Sequence, residues 1–225
     1  MIIVTGASRG IGAAVVDRLL SKGHSVFGIA RDASNLQCSG ASCDVTSLSD
    51  LKSIAKQIRR GGESVEGLVN CAGIAAMNLA LTTPEESIKR VINTNLIGTI
   101  FSCQAFGPLL IRNKRGSIIN FSTIAVDIGL RGESVYVASK AGVEGFSYVL
   151  AKEFSDFDIR VNSIAPGPID TSLLSGVSAK QVEGIVKQQV IKKQFLLSDV
   201  CDVVSFLLSD SSSSISGQVL KIGGS

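Results

Sequence analysis

Histidine, paired cysteine and long apolar runs are what this 225-residue chain has least of. His24 is its only histidine, and the five cysteines at positions 38, 43, 71, 103 and 201 form no C-x-x-C pair and leave an odd one over. Zinc centres draw on cysteine and histidine sets, and small secreted folds on even cysteine frameworks. Neither a metal site nor a disulfide scaffold is therefore expected, and a reducing compartment is. No apolar stretch approaches the roughly 20 residues that span a bilayer, and no charged leader or cleavage site precedes the strand-like opening Ile2-Ile3-Val4. The expectation is a cytoplasmic protein with no membrane partner. A net charge of +3 with its basic residues scattered offers no cationic stripe for nucleic acid, so the expected partner is a small molecule. There is no internal repeat, and the serine-rich stretch 209–216 is short enough to be a polar loop rather than a linker. With 45% hydrophobic residues the chain can bury one substantial core, so residues 1–225 are read as a single domain, too short to add a separate substrate domain.

What is present is an alternation. Short β-branched runs at 2–4, 25–29, 68–70, 117–121, 159–164 and 219–222 are separated by stretches with helical spacing, the pattern of a parallel sheet covered by helices on both faces. The runs are apolar throughout rather than alternating, as burial on both faces demands. One helix start is clearly written: Thr83 as N-cap, Pro84 at the first helical position, and Glu86 three residues after Thr83 to complete a capping box. The following Ile88, Val91, Ile92, Leu96 and Thr99 share one face, with Asn95 beside it, an awkward place for an amide without partners.

The first run leads into Thr5-Gly6-Ala7-Ser8-Arg9-Gly10-Ile11-Gly12, which opens a helix through Ala13, Val15, Val16, Leu19 and Leu20. Glycines here let the backbone turn tightly and approach a pyrophosphate, whose charge is favoured by free N–H groups at the helix start. Gly6, Ser8, Arg9, Gly10, Ile11 and Gly12 are thus candidate cofactor residues. After the second run the chain reads Ala30-Arg31-Asp32. An acid at position 30 would bind a ribose 2′-hydroxyl, whereas Arg31, with Arg9 nearby, can pair with a 2′-phosphate, which points to NADP.

The T-G-x-x-x-G-x-G spacing, Asn70-Cys71-Ala72-Gly73, Asn95, the pair Tyr136 and Lys140 in Tyr136-Val137-Ala138-Ser139-Lys140, and Pro166-Gly167-Pro168-Ile169-Asp170-Thr171 together resemble the short-chain dehydrogenase/reductase family over nearly the whole chain. Within it the sequence looks most like carbonyl reductases related to 3-oxoacyl-[acyl-carrier-protein] reductase. The resemblance implies a single doubly wound (Rossmann) α/β domain, with Asp44 and Val45 flanking the adenine, Asn70, Ala72 and Gly73 along the cofactor's middle, and Pro166, Gly167, Ile169 and Thr171 holding the nicotinamide carboxamide. One departure is visible. Only twelve residues separate Arg31 from Asp44, too few for the usual full helix followed by a third strand, so a trimmed, more open adenine side is expected.

Hydride delivery to a ketone creates alkoxide character, and the site must supply a proton and hold the oxygen. Tyr136 is the natural donor, and Lys140, one helical turn on, is placed to stabilise its phenolate; the resemblance adds that Lys140 grips the nicotinamide ribose. Thirteen residues before Tyr136, where the family usually has serine, stands Thr123, with Ser122 just before it. Successive strand side chains face opposite ways, which favours Thr123 as the oxygen-holding hydroxyl. Asn95 is implied to help hold a water linking Lys140 to solvent.

Residues 171–197 are expected to cover the substrate with Leu173, Leu174, Val177, Val182, Ile185, Val186, Val190 and Phe195. A reductase of carrier-protein substrates needs cations at the entrance to meet an acidic acyl carrier protein. Lys114 and Arg115 fit that need, but Ser155-Asp156-Phe157-Asp158 is acidic where such reductases tend to be basic. The leading expectation is an NADP-dependent carbonyl reductase acting on a small carbonyl compound. The alternatives are a dehydrogenase of a sugar, polyol or other secondary alcohol, and a cofactor-binding regulatory protein without turnover. The resemblance further implies a homodimer or homotetramer paired through 83–112 and 136–154, where Ala141, Gly142 and Gly145 make a small-residue surface.

Overall fold

The computed structural model describes residues 1–169, 171 and 178–224. Seven strands form one sheet in the order β3-β2-β1-β4-β5-β6-β7. They are β1 (Ile2–Thr5), β2 (Val26–Ala30), β3 (Ser39–Ser42), β4 (Gly67–Asn70), β5 (Gly116–Phe121), β6 (Ile159–Pro166) and β7 (Val219–Ile222). Every pairing is parallel, which forces each connection to cross back over a face. Against the sheet lie α1 (Gly10–Ser21), α2 (Leu48–Arg60), α3 (Glu85–Ile92), α4 (Gly98–Asn113), α5 (Ala125–Ile128), α6 (Ser134–Glu153), α7 (Ala179–Gln188) and α8 (Leu197–Leu208). The doubly wound architecture is that expected from the alternation of runs.

Strand periodicity assigns each residue to one of two cores. Ile3, Leu68, Ile118 and Val161 point toward α2, α4 and α6, where Leu51, Phe106, Leu110 and Leu150 meet them. Their neighbours Ile2, Val4, Val69, Ile119 and Ile164 point to the opposite face, against Val16, Leu19, Val200 and Val204 of α1 and α8. Both faces being apolar explains why the strand runs show no polar alternation.

Two local expectations are corrected. β3 exists although no helix precedes it: residues 31–38 carry β2 to β3 as a loop that lays Leu36 and Cys38 on the sheet. Glycines leave the room. A Cβ at Gly40 would lie 2.3 Å from the Gly28 carbonyl oxygen and 2.5 Å from Leu36 Cδ1, and one at Gly28 would lie 3.1 Å from Cys38 Sγ. The strand itself, Ser-Gly-Ala-Ser, is a mostly exposed edge strand with none of the β-branched residues that announce the others. The capping box at Thr83 is also absent. A 3₁₀ turn at Ala80–Thr82 brings the Leu79 carbonyl within 2.9 Å of the Thr83 hydroxyl, which donates to it, and the helix starts one residue later with Pro84 as its N-cap.

α3 and α4 form one continuous helix, Glu85–Asn113, interrupted by a π-turn at Asn93–Ile97. By length and composition alone it could cross a bilayer, but its most apolar stretch is half buried inside the protein, with Val91, Phe106 and Leu110 wholly so. Gly142 packs on Leu96, its Cβ position 2.9 Å from Leu96 Cδ2, so of the three small residues on α6 only Ala141 and Gly145 are exposed.

Candidate active site

The strand order reverses between β1 and β4, so the chain leaves these neighbours toward opposite faces and a crevice opens at their carboxyl ends. A cleft of about 360 Å³ fills that position, running from Arg31 and Asp44 to Tyr136 and Ile185. Its floor is the glycine turn. Gly6 adopts φ +67° and approaches the next strand's loop so closely that a Cβ would lie 2.8 Å from the Ala72 backbone; a Cβ on Gly12 would lie 2.2 Å from the Gly6 carbonyl oxygen. The Thr5 hydroxyl accepts from the Ala72 amide at 3.2 Å and ties the two loops together.

α1 begins here without a side-chain cap or an acidic residue in its first turn. Its first N–H groups are left to an external anion. Arg9 and Arg31 are exposed at the same end, and no ion pair engages either among the described residues. Asp32, by contrast, is turned into its own loop: its carboxylate accepts from the Ser34 amide at 2.9 Å, which holds its pKa below the ordinary value. Asp44 likewise accepts from the Thr46 amide at 2.9 Å and hydroxyl at 2.8 Å, beside buried Val45. Glycine cradle, uncapped helix start and exposed arginines together suit a dinucleotide cofactor.

At the other end β5 and α6 bring Thr123, Tyr136 and Lys140 to one wall. Burial and, after it, the nearby Glu133 carboxylate push the Tyr136 phenol well above its ordinary pKa, opposed in part by the neighbouring Thr123 hydroxyl, which favours the ionised form. Lys140 is buried and donates to the Phe121 carbonyl at 2.7 Å, its ammonium 6.0 Å from the Tyr136 ring centre. Burial pulls its pKa down to about 8, opposed in part by Cys71. Burial, rather than the charge of Lys140, sets the direction of the Tyr136 shift. Ser122 is buried and donates to Glu144 on α6, leaving Thr123 as the hydroxyl beside Tyr136.

Of the candidate residues, Gly6, Ser8, Arg9, Gly10, Ile11, Gly12, Arg31, Asp44, Val45, Ala72, Gly73, Thr123, Tyr136, Lys140, Pro166, Gly167, Ile169 and Thr171 all line the cleft. Asn70 and Asn95 do not. Asn70 alternates with Val69 and so shares the face of Leu68, where it donates to Asn120 at 2.8 Å beneath the sheet. Asn95 sits in the π-turn, wholly buried, accepting from the Ile74 amide at 2.8 Å and donating to the Ile74 carbonyl at 2.9 Å and to Ser139 at 3.0 Å. Its amide clamps the loop after β4 to the catalytic helix. Of the expected cover, Leu173, Leu174 and Val177 lie outside the described residues; α7 contributes Ile185 to the cleft, and Phe195 packs beside Ile169 while Val190 is exposed. Sequence reasoning missed Ile74, Met77, Leu130 and Glu133, which also line the cleft. For Glu133 a signal existed, since it stands three residues before Tyr136 at the start of the same helix.

A doubly wound sheet, a glycine cradle at its switch point and a Thr-Tyr-Lys wall define a nicotinamide-dependent oxidoreductase, and the chain belongs to the short-chain dehydrogenase/reductase family. A family model described as Enoyl-(Acyl carrier protein) reductase matches residues 6–224. The chain is similar to the 3-oxoacyl-[acyl-carrier-protein] reductase FabG of Escherichia coli (strain K12), 32% identical over 231 residues and covering 99% of this chain and 95% of that protein. It is also similar to MabA, the 3-oxoacyl-[acyl-carrier-protein] reductase of Mycobacterium tuberculosis (strain ATCC 25618 / H37Rv), 33% identical over 224 residues, 99% of this chain and 91% of that one. Among solved structures, the aldohexose dehydrogenase of Thermoplasma acidophilum superposes with a TM-score of 0.89 at 29% identity, over 99% of this chain and 92% of the other. These names carry different substrates on one scaffold, so the scaffold does not choose among them.

The depressed Lys140 pKa has a consequence for stability. An unfolded lysine titrates near 10.5 and this one at about 8, so between those values the unfolded chain binds more protons and the native state gains stability as pH rises. Lys140→Met lacks that increment. Urea unfolding at pH 7.5 and pH 10 should therefore show wild type gaining relative to the variant at the higher pH. A difference independent of pH would mean that Lys140 titrates normally.

Proposed function

We propose that the protein reduces a ketone carbonyl with NADPH, with Tyr136 as proton donor. The observation that carries this reading is a half-buried phenol lining the cleft beside the Thr123 hydroxyl, at the opposite end from two arginines without ion pairs. Bound nicotinamide supplies the hydride. The Thr123 hydroxyl donates to the carbonyl oxygen as it gains charge, and the Tyr136 phenol passes its proton to the same oxygen. A phenol held protonated suits this direction, whereas oxidation of an alcohol would need it as the base. Lys140, near its own pKa, replaces the proton or steadies the phenolate that remains, and Asn95 is a positioning residue that fixes the wall facing it. A cytoplasmic setting is the reading that the relatives and the five free cysteines support.

A carrier protein as the substrate's handle is what the names of the relatives favour. This chain's own surface speaks less for it: Arg115 is committed to Asp210, and Asp156 and Asp158 stand beside Lys114. A small-molecule carbonyl is the reading supported better here.

Self-association through α4 and α6 is supported by the exposed Ala141, Gly145, Tyr148 and Val149 on one side of α6. Light scattering at micromolar concentration should give the mass of a dimer or tetramer, and a strict monomer would reject the pairing.

Substitutions at the two ends of the cleft test the chemistry. In Arg31→Ala the affinity for NADPH should fall about 10–100-fold, the worth of one charge-assisted contact, with NADH little affected; equal losses would show that Arg31 does not read the 2′-phosphate.

Thr123→Val keeps the shape but removes the hydroxyl, so NADPH binding should persist while turnover drops about 10²–10³-fold. Thr123→Ser should remain active, and Ser122→Ala should do much less than Thr123→Val. The reverse ranking would move the oxygen-holding role to Ser122.

A further inference from the structure

Among the described residues, Glu133 is the one carboxylate lining the catalytic end of the cleft that the proposed reaction does not use. It stands at the N-terminal boundary of α6, one turn before Tyr136, half-buried and lining the cleft together with Ile74, Met77, Leu130 and Ile185. Its side chain makes no capping bond to its own helix, and among the described residues it has neither an ion pair nor a hydrogen bond. Other acids around the cleft are spent: Asp32 and Asp44 close local turns and Glu144 accepts from Ser122. Burial raises the Glu133 pKa, and the same charge works against ionisation of Tyr136. A partly desolvated carboxylate is costly unless a donor meets it. Here the missing donor is on the open side, where the substrate lies.

We infer that Glu133 selects a carbonyl substrate bearing a hydrogen-bond donor, hydroxyl or ammonium, on the carbon next to the carbonyl, with an apolar remainder against Ile74, Met77, Leu130 and Ile185. The inference rests on the carbonyl-reductase reading for the place of the carbonyl, between Thr123 and Tyr136. A donor on the carbon next to it would meet the carboxylate that lines the same end of the cleft as Tyr136. A plain 3-oxoacyl chain has no such group and would leave Glu133 buried against methylenes.

Three matched ketones test this: α-hydroxyacetophenone, α-aminoacetophenone and propiophenone, which differ only in hydroxyl, ammonium or methyl next to the carbonyl. Binding to the NADP⁺ complex, which has no hydride to give a ketone, is measured by saturation-transfer NMR titration, so the readout does not depend on turnover. At least one of the first two should bind about 10–100-fold more tightly than propiophenone, the usual range for a hydrogen bond to a charged group. In Glu133→Leu the three should fall within about threefold of one another. Glu133→Gln distinguishes the donors, since its amide oxygen still accepts from a hydroxyl but no longer attracts an ammonium. It also serves if the leucine variant does not fold, because loss of the ammonium preference or weakening of the hydroxyl preference is then required. Equal binding of all three by the native protein, or an unchanged ratio in the variants, overturns the role. Discrimination that depends on Glu133 without any NADPH oxidation would reject the reductase reading and leave this one standing.

Discussion

Everything at the active end depends on how closely the Gly6 turn approaches the loop after β4. At the switch point two crossovers must leave neighbouring strands in opposite directions, and their loops meet over the sheet edge at Gly6 and Ala72 with no room for a Cβ. The Thr5 hydroxyl locks that contact. From there the loop after β4 runs to Ile74, where Asn95 holds both backbone groups and reaches on to Ser139, the residue before Lys140. A single chain of contacts thus joins the cofactor turn to the catalytic helix. The π-turn at Asn93–Ile97 is the local distortion that carries Asn95 in this chain, and such turns are frequent at functional sites.

Burial has opposite uses at the two ends of the cleft. At the dinucleotide end charge is left exposed and unpaired, so Arg9 and Arg31 need not be stripped of partners to meet a phosphate. At the catalytic end desolvation keeps Tyr136 protonated and brings Lys140 to about 8, near neutral pH. Sequence reasoning assigned Lys140 the task of lowering the tyrosine's pKa through its charge. In the folded chain its ammonium is turned to the Phe121 carbonyl, and burial decides both titrations. A cofactor ribose and phosphates would add charge and hydrogen bonds to this end, and the balance between the two groups would then be reset.

The sequence was most legible where periodicity and glycine spacing carry the physics. Six strands, the glycine turn and the Thr123, Tyr136, Lys140 wall follow from apolar runs and ordered motifs, because buried parallel strands and close backbone approaches tolerate few residue types. β3 escaped since an exposed edge strand of Ser, Gly and Ala has no hydrophobic signature, and its helix-free crossover depends on two glycines whose partners are distant in sequence. Asn70 was misplaced for a different reason: the motif says that it matters, but only the pleat says to which face it turns. The Thr83 cap failed because a 3₁₀ turn, invisible to composition, offered its hydroxyl another acceptor.

Thr123 shows why geometry had to decide where the motif could not. Ser122 and Thr123 are adjacent hydroxyls, and either could stand where the family usually has serine. Alternation at the end of β5 sends them apart: Ser122 is drawn into the layer beneath α6 by Glu144, and Thr123 lies beside the phenol while its oxygen accepts from the Ala125 amide at 3.2 Å. That second bond, together with the methyl that restricts χ1, limits the positions open to the hydroxyl. A serine could turn away from the cleft; this threonine has fewer ways to do so. The added methyl also narrows the space next to the carbonyl position, on a wall that includes Glu133. On the proposed reading, the departure from the usual residue ties the oxygen-holding group and the shape of this end of the cleft to one side chain.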